Sequence, residues 1–69
     1  MATIHVTLNG DARALPEALT IAALLERLAI DPRVVAVERN RRVIKRAAFG
    51  GTPVRDGDEI EIVNFVGGG

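Results

Sequence analysis

The sequence predicts a two-layer α+β domain, in which one helix covers one face of a mixed sheet. Two segments, residues 1–8 and 59–66, alternate between apolar and polar side chains, which is the period of a half-buried strand. Between them, the apolar side chains of residues 21–28 recur at helical spacing, which places them on one face of a helix. With 69 residues the chain is one small domain, which buries only about 60% of the surface that its unfolded form exposes.

A hairpin and the helix account for the first half of the chain. The first strand ends at Asn9-Gly10, a dipeptide that favours a type I′ turn because both central residues of that turn need positive φ. A short return strand over residues 12–15 follows. Thr20 is the expected N-cap of the helix. Pro32 ends the helical segment, because proline forces the preceding residue out of helical geometry.

Shorter strands and turns fill the second half. They are a strand at 34–38, a turn at Asn40-Arg41, a short strand at 43–44, a loop at 45–53 and a turn at 56–58 before the final strand. This order is most compact when the first and last strands pair at the centre of the sheet beneath the helix, which is the β-grasp topology. We expect residues 1–66 to form this domain and residues 67–69 to form a flexible Gly-Gly-Gly tail.

The composition excludes several kinds of chemistry. The chain has no cysteine, which excludes disulfides, zinc–thiolate sites and cysteine nucleophiles. It has no serine either, so His5, the single histidine, is expected to face solvent rather than to activate a nucleophile. Asp56, Asp58 and Glu59 lack the spacing of a calcium-binding loop and are expected to be turn residues. We therefore expect neither a metal nor a bound cofactor.

The net charge and the hydropathy of the chain indicate which partners and which location to expect. Nine basic and nine acidic residues balance, so no overall field attracts the chain to nucleic acid or to a membrane. No apolar run is long enough for a membrane span or a secretion signal, and we expect a cytoplasmic location. Arg39, Arg41 and Arg42 cluster at one turn without the interleaved aromatic side chains that bind single-stranded nucleic acid. We interpret these arginines as a secondary docking surface for an acidic protein partner.

The final strand has an unusual outward face. Ile60 and Ile62 alternate with glutamates and are expected in the core, and the same alternation places Val63 and Phe65 on the opposite face. Together with Val66 they form the candidate partner-binding surface, since exposed apolar patches mark such sites. A bulge that returns one of them to the core fits the pattern equally well.

By elimination, the distinctive reactive group is the main-chain carboxylate of Gly69. Gly67 and Gly68 before it carry no side chain that would block a narrow active-site channel, and three residues extend about 10 Å. A carboxylate becomes a useful electrophile once its oxygen is made a leaving group, for instance by joining it to AMP. A merely frayed terminus is the alternative, but the lack of other chemistry in the domain favours a functional tail.

Four segments carry a resemblance to a known family. They are VAVE at residues 35–38, VIKR at 43–46, DGD at 56–58 and EIEIVNFVGGG at 59–69. Together they resemble the ThiS family, the ubiquitin-like sulfur carriers of thiamine biosynthesis, over nearly the whole chain. Several β-grasp carriers end in diglycine, so the VGGG ending after this acidic and apolar strand is the more specific feature. The chain departs from the usual family pattern at Arg41, Lys45 and Phe49, where glycine, proline and tryptophan are common.

The resemblance implies a function for the tail. In the family, the terminal glycine, here Gly69, is adenylated by a ubiquitin-activating-type adenylyltransferase that uses ATP. It is then converted to a thiocarboxylate with sulfur supplied by a cysteine desulfurase. The thiocarboxylate donates this sulfur to thiazole synthase as the thiazole ring of thiamine is built. The carrier is a protein cosubstrate and not an enzyme, and Gly67 and Gly68 are required for entry into the active sites.

Three alternatives share part of this pattern. The small subunit of molybdopterin synthase also ends in Gly-Gly and delivers sulfur. A protein-conjugating modifier would join its terminal glycine to lysine side chains. An RNA-binding β-grasp module would instead use the arginine hairpin, and its affinity would fall steeply with salt.

Overall fold

A mixed sheet forms one layer and a short helix forms the other in the computed structural model, which describes residues 3–65. The strands are β1 (Ile4–Leu8), β2 (Asp11–Leu15), β3 (Leu19–Thr20), β4 (Val35–Arg39), β5 (Arg42–Ile44), β6 (Pro53–Val54) and β7 (Glu59–Asn64). The helix α1 spans Ile21–Arg27, and 3₁₀ helices span Pro32–Val34 and Arg46–Gly51. Five strands lie in the order β2-β1-β7-β4-β5, with β1 and β7 parallel and the other neighbours antiparallel. The predicted β-grasp topology is confirmed.

Two features of the fold differ from the sequence prediction. β3 and β6 form a separate antiparallel ladder, which was not predicted because each strand has only two residues and no alternation can be read from them. The predicted loop at 45–53 contains the 3₁₀ helix Arg46–Gly51, whose Phe49 is buried in the core. The final strand is assigned to Glu59–Asn64, and Val66 lies outside the described residues.

The core lies between α1 and the inner face of the sheet. α1 contributes Ile21, Leu24 and Leu25, each at most 1% exposed, in agreement with the predicted apolar stripe. The facing core residues come from the strands and the second 3₁₀ helix: Ile4, Val6, Leu15, Val35, Val37, Phe49, Val54 and Ile60. The inner face of the sheet is therefore covered by the helix layer, and the opposite face is called the outer face below.

Both ends of α1 are capped, but only one cap was predictable. The Thr20 hydroxyl accepts a hydrogen bond from the Ala23 amide at 3.1 Å, as expected of an N-cap. At the other end, the amide of Ile30 donates to the Leu25 carbonyl at 2.9 Å and that of Ala29 donates to the Glu26 carbonyl at 3.0 Å. This is a Schellman motif with Ala29 at φ 59°, where glycine is the usual residue, and an alanine gives no sequence signal for it.

Two hairpin turns place non-glycine residues at positive φ. Asn9 and Gly10 have φ values of 49° and 85°, and Asn40 and Arg41 have values of 53° and 69°, the geometry of type I′ turns. Asparagine adopts positive φ at little cost, whereas in arginine the Cβ atom is brought too close to the backbone at this φ. Arg41 is therefore a source of strain in the β4–β5 hairpin.

A buried carboxylate holds the β4–β5 hairpin against the turn before β7. Asp58 is 7% exposed and accepts hydrogen bonds from Arg39 Nε at 2.7 Å, Asn40 Nδ2 at 3.0 Å and the Arg55 amide at 2.8 Å. Burial by itself raises the pKa of Asp58, but the hydrogen bonds from Arg39, Arg55 and Asn40 and the charge of Arg39 outweigh it, and the pKa lies below its ordinary value. The network joins two segments that are distant in sequence.

We predict that Arg41→Gly stabilises the domain. Removing the Cβ relieves a conformation that costs about 1–2 kcal/mol, and the contact of Arg41 Nε with Glu59 Oε1 at 3.7 Å is exposed and contributes little. The greater freedom of glycine in the unfolded chain offsets roughly 0.5–1 kcal/mol of this, so we expect a net gain of about 0.5–1 kcal/mol. Urea denaturation gives the free energy of unfolding. Arg42→Gly is the matched control, because Arg42 lies in β5, and there glycine should lower stability by roughly 0.5–1 kcal/mol. Equal effects at the two positions would contradict the assignment of strain to Arg41.

We predict that Asp58→Asn lowers the free energy of unfolding at neutral pH by about 2–3 kcal/mol, because charge-assisted hydrogen bonds in a buried setting are lost. Since the folded pKa of Asp58 is depressed, its contribution is complete above the unfolded value of about 3.9 and is lost as pH falls through the folded pKa. The difference between the wild type and the variant should therefore shrink in acid. Asp11→Asn, at an exposed position of β2, is the control. A difference that does not change with pH would refute the role of the ionised form.

Candidate functional site

The strand that leads to the closing glycines lies at the centre of the sheet. β7 pairs with β4 over five residue pairs, from Arg39 opposite Ile60 to Val35 opposite Asn64. On its other side β7 pairs in parallel with β1, where Thr7 and Leu8 lie opposite its first two residues. The last strand is thus bound on both edges at its beginning, and β4 alone pairs with its final residues.

Asn9 extends the contact between β1 and β7 beyond the end of the strand pairing. Its amide donates to the Ile60 carbonyl at 2.9 Å. Its side chain then acts as a substitute peptide group: Asn9 Oδ1 accepts from the Ile62 amide at 2.7 Å, and Nδ2 donates to the Ile62 carbonyl at 3.2 Å. The sequence predicted only the turn at this position. An asparagine is needed because aspartate could not supply the donor.

The described part of β7 ends against β4. The Phe65 amide donates to the Val34 carbonyl at 3.0 Å, which continues the pairing one residue beyond the strand. The predicted reactive residue Gly69, the predicted spacers Gly67 and Gly68, and Val66 of the predicted partner surface all lie outside the described residues. The base of the tail is therefore fixed by main-chain hydrogen bonds as far as Phe65.

An apolar patch lies on the outer face beside this point. Val63 is 58% exposed, Phe65 60% and Val43 71%, and these are the large exposed hydrophobic side chains within residues 3–65. Val63 lies opposite Ala36 in the sheet, so Ala36, Val43, Val63 and Phe65 are here called the outer patch. No bulge returns Val63 or Phe65 to the core, which decides the alternative that the sequence left open. Val43 was missed as a patch residue because its strand is too short for an alternation to be read.

A recess adjoins the outer patch. It has a volume of about 260 Å³ and lies between Val43 and Phe65, with Phe49 and Arg46 also lining it. A space of this size accepts one large apolar side chain of another protein, which is how the anchor residues of protein interfaces are seated. The outer patch is therefore bordered by an open recess.

Three carboxylates share the outer face with the patch. Glu38 of β4 lies directly opposite Glu61 of β7, and Glu59 lies two residues before Glu61 on the same side of the strand. With Arg41 they line a depression of about 350 Å³. Arg41 Nε is 3.7 Å from Glu59 Oε1, whereas neither Glu38 nor Glu61 has an ion-pair partner within residues 3–65. The sequence showed the acidic strand but not this cross-strand pairing of like charges.

The structure places two of the three arginines predicted as a docking surface, Arg39 and Arg42, directly opposite each other in the sheet, but not Arg41. Arg39 is 26% exposed and donates to Asp58, so it has a structural role. Arg41 reaches toward Glu59 on the outer face, and Arg42 lies opposite Arg39 in the β4–β5 pair. Two of the guanidinium groups therefore face carboxylates of the same chain, which does not give the continuous cationic strip that phosphate backbones require. Their docking role stays a prediction.

The other candidate residues have ordinary surroundings. The His5 side chain is 74% exposed, which confirms the outward orientation, and its amide donates to Asp56 Oδ1 at 2.7 Å. In the stretch from residue 3 to residue 65, no three histidine or carboxylate side chains are grouped so as to hold a metal ion. Over the same stretch, no helix has the length and apolar character needed to cross a membrane.

Comparison with known proteins places the chain in a family. Residues 6–69 match the ThiS family. The chain is 40% identical over 63 residues to the sulfur carrier protein ThiS of Bacillus subtilis, a match that covers 90% of this chain and 96% of that protein. It is also 42% identical over 66 residues to a thiazole synthase of Paramagnetospirillum magneticum, but there the match covers 96% of this chain and only 20% of the relative.

The fold comparison agrees. The crystal structure of the thiamine biosynthesis protein ThiS from Geobacter metallireducens superposes with a TM-score of 0.84 at 38% identity, and the match covers 96% of this chain and all of that one. The central β7, the outer patch at its end and the match through residue 69 lead to one assignment. The chain belongs to the ThiS family, the sulfur carrier proteins of thiamine biosynthesis.

Proposed function

We propose that this chain is a sulfur carrier whose reactive group is the carboxyl group of Gly69, and that the folded domain serves as the handle by which enzymes hold it. The observation that carries the proposal is that the family match runs through residue 69 and so includes the closing glycines. The described side chains support it, because within residues 3–65 the outer patch offers an exposed apolar surface to which an enzyme could bind.

The proposed chemistry takes place on the carboxylate in successive steps. A ubiquitin-activating-type adenylyltransferase joins a carboxylate oxygen of Gly69 to the α-phosphorus of ATP, and pyrophosphate leaves. The outer sulfur of a persulfide generated by a cysteine desulfurase then attacks the acyl carbon, and AMP leaves with that oxygen. A thiol reductant supplies the two electrons that cleave the resulting acyl disulfide and leave a thiocarboxylate on Gly69. The resulting thiocarboxylate delivers sulfur to thiazole synthase, and the carrier carboxylate is restored. The carrier is consumed and regenerated as a cosubstrate, and ATP is bound by the partner enzyme and not by the carrier.

The geometry at the end of β7 fits this use. The main chain is held as far as Phe65, and the four residues that follow can span at most about 14 Å when extended. A glycine-rich segment of that length suits a narrow channel, since it adds no side-chain bulk beyond Val66. An enzyme that docks on the outer patch, with Val63, Phe65 and Val66 in the interface, would have its active site within reach of Gly69.

The thiazole synthase comparison supports one of the partners. The Paramagnetospirillum magneticum protein named thiazole synthase contains, in a fifth of its length, a segment 42% identical to nearly the whole of this chain. A carrier-like segment and thiazole synthase on one polypeptide suggest that the two act together. The adenylyltransferase and the cysteine desulfurase are proposed from the family resemblance. Arg39, Arg41 and Arg42 remain the proposed secondary docking residues, and Arg39 in addition donates a hydrogen bond to Asp58.

We predict that removing Gly68 and Gly69 abolishes adenylation and leaves the fold intact, because the reactive carboxylate is displaced while the described domain is untouched. ATP–pyrophosphate exchange with the adenylyltransferase of the source organism measures the first step, and thermal unfolding checks the fold. Removing Met1 and Ala2 is the matched control, since it shortens the chain by the same number of residues at the other end. Exchange that continues in the tail-truncated variant would refute the proposal.

We predict that Phe65→Ala weakens binding to the adenylyltransferase or to thiazole synthase by tenfold or more, with Val63→Ala having a smaller effect. Both side chains are mostly exposed, so their removal should hardly change the free energy of unfolding, whereas an aromatic anchor at an interface contributes about 2 kcal/mol or more. Isothermal titration calorimetry gives the affinities. Arg13→Ala, at an exposed position of the edge strand β2, is the control. Unchanged affinity of the Phe65 variant for both enzymes would exclude the outer patch as the docking surface.

A further inference from the structure

The outer face carries two features that do not stabilise the free domain. It exposes the outer patch, and next to it β4 and β7 bring Glu38 and Glu61 directly opposite each other. Carboxylates at directly opposite positions of an antiparallel pair have Cβ atoms about 5 Å apart and destabilise the sheet. The opposed carboxylates destabilise the free domain, and they lie beside its most exposed apolar side chains. Features that cost stability at one place on a surface are expected where a second molecule binds.

The charge surroundings specify what that molecule must offer. Among residues 3–65, Arg41 is the cation that lines the depression, and the carboxylate within 4.0 Å of it is that of Glu59. Glu38 and Glu61 are left as two like charges beside a cavity of about 350 Å³, which is ample space for the end of a lysine or arginine side chain. A cation seated between them would turn a repulsive pair into two attractive ones.

The two features are adjacent on the strands. Along β7, Val63 follows Glu61 by two residues on the same face, a separation of about 7 Å. Val43 lies opposite Glu38 across the β4–β5 pair. If a partner places one apolar side chain on the outer patch, the partner residues next to that side chain therefore lie over Glu38 and Glu61.

We infer that the enzyme that docks on the outer face presents a lysine or arginine that sits between Glu38 and Glu61, next to an apolar anchor on the outer patch. This inference rests on the proposed function and adds the chemistry of the partner surface. A nucleic acid or an anionic membrane would be repelled by the carboxylates. A second copy of the chain is the remaining competitor, and the test separates it.

The decisive variant is Glu61→Lys, because it should move stability and binding in opposite directions. In the free domain a lysine opposite Glu38 replaces a repulsive pair by an attractive one, so we expect Tm to rise by roughly 2–6 °C. In the complex the same lysine meets the partner's cation, so we expect affinity to fall about tenfold or more at low salt. Misfolding cannot produce this combination of results.

The measurement is the dissociation constant of the carrier for the adenylyltransferase and for thiazole synthase at about 50 mM and about 500 mM salt, where screening differs strongly. For the wild type, affinity should fall with salt, and for Glu61→Lys this dependence should be lost or reversed. Glu26→Lys is the matched control: it makes the same charge change on α1, on the opposite side of the sheet, and should retain wild-type binding.

Three results would overturn the inference. One is wild-type affinity of Glu61→Lys for both enzymes, and another is an equal loss in Glu26→Lys, which would reflect net charge alone. The third is a dimer of the free carrier, seen by light scattering, that Glu61→Lys dissociates, since the outer face would then bind a second copy. If the wild-type chain is not adenylated at all, the proposed function fails instead, so the two failures are distinguishable.

Discussion

The pairing of β7 with strands on both of its edges is the constraint on which the rest of the structure depends. β1 pairs with its first two residues, the Asn9 side chain bonds to the main chain of Ile62, and β4 pairs with the residues from Ile60 to Asn64. Buried backbone groups must have partners, so the strand that carries the tail cannot leave the sheet without leaving several amides and carbonyls unsatisfied. The chain is therefore held as far as Phe65, and a docked enzyme would receive the following residues from a fixed point.

Because β7 lies at the centre of the sheet, some of its side chains pack in the core and the others lie on the outer face. Ile60 belongs to the core beneath the helix layer, while Val63 and Phe65 are left on the outer face with nothing from residues 3–65 to cover them. A domain of this size has a small core, and its free energy of unfolding is modest. It nevertheless tolerates an exposed aromatic side chain and the opposed carboxylates of Glu38 and Glu61. Features that oppose solubility and folding at one location are most simply explained by binding.

The strands, the helix and the turn that follow from local sequence patterns could be predicted from the sequence. The alternation of β1 and β7, the apolar stripe of α1 and the Asn9-Gly10 turn follow from local patterns, and they suffice for the topology. What could not be predicted depends on residues far apart in the sequence. The short β3–β6 ladder, the opposition of Glu38 and Glu61 and the burial of Asp58 against Arg39 are set by register and tertiary packing, which local patterns do not encode. The Schellman end of α1 was missed for another reason, because Ala29 occupies a position where glycine would have given the signal.

In the proposed function the reactive group of the carrier is a main-chain carboxyl and not a side chain. The most direct test is the intact mass of the carrier after incubation with the adenylyltransferase, ATP, the cysteine desulfurase, cysteine and a thiol reductant, followed by fragmentation to locate any change. The expected product is heavier by the difference between sulfur and oxygen, with the whole increment on Gly69. An unchanged mass, or an increment on a side chain elsewhere in the chain, would contradict it.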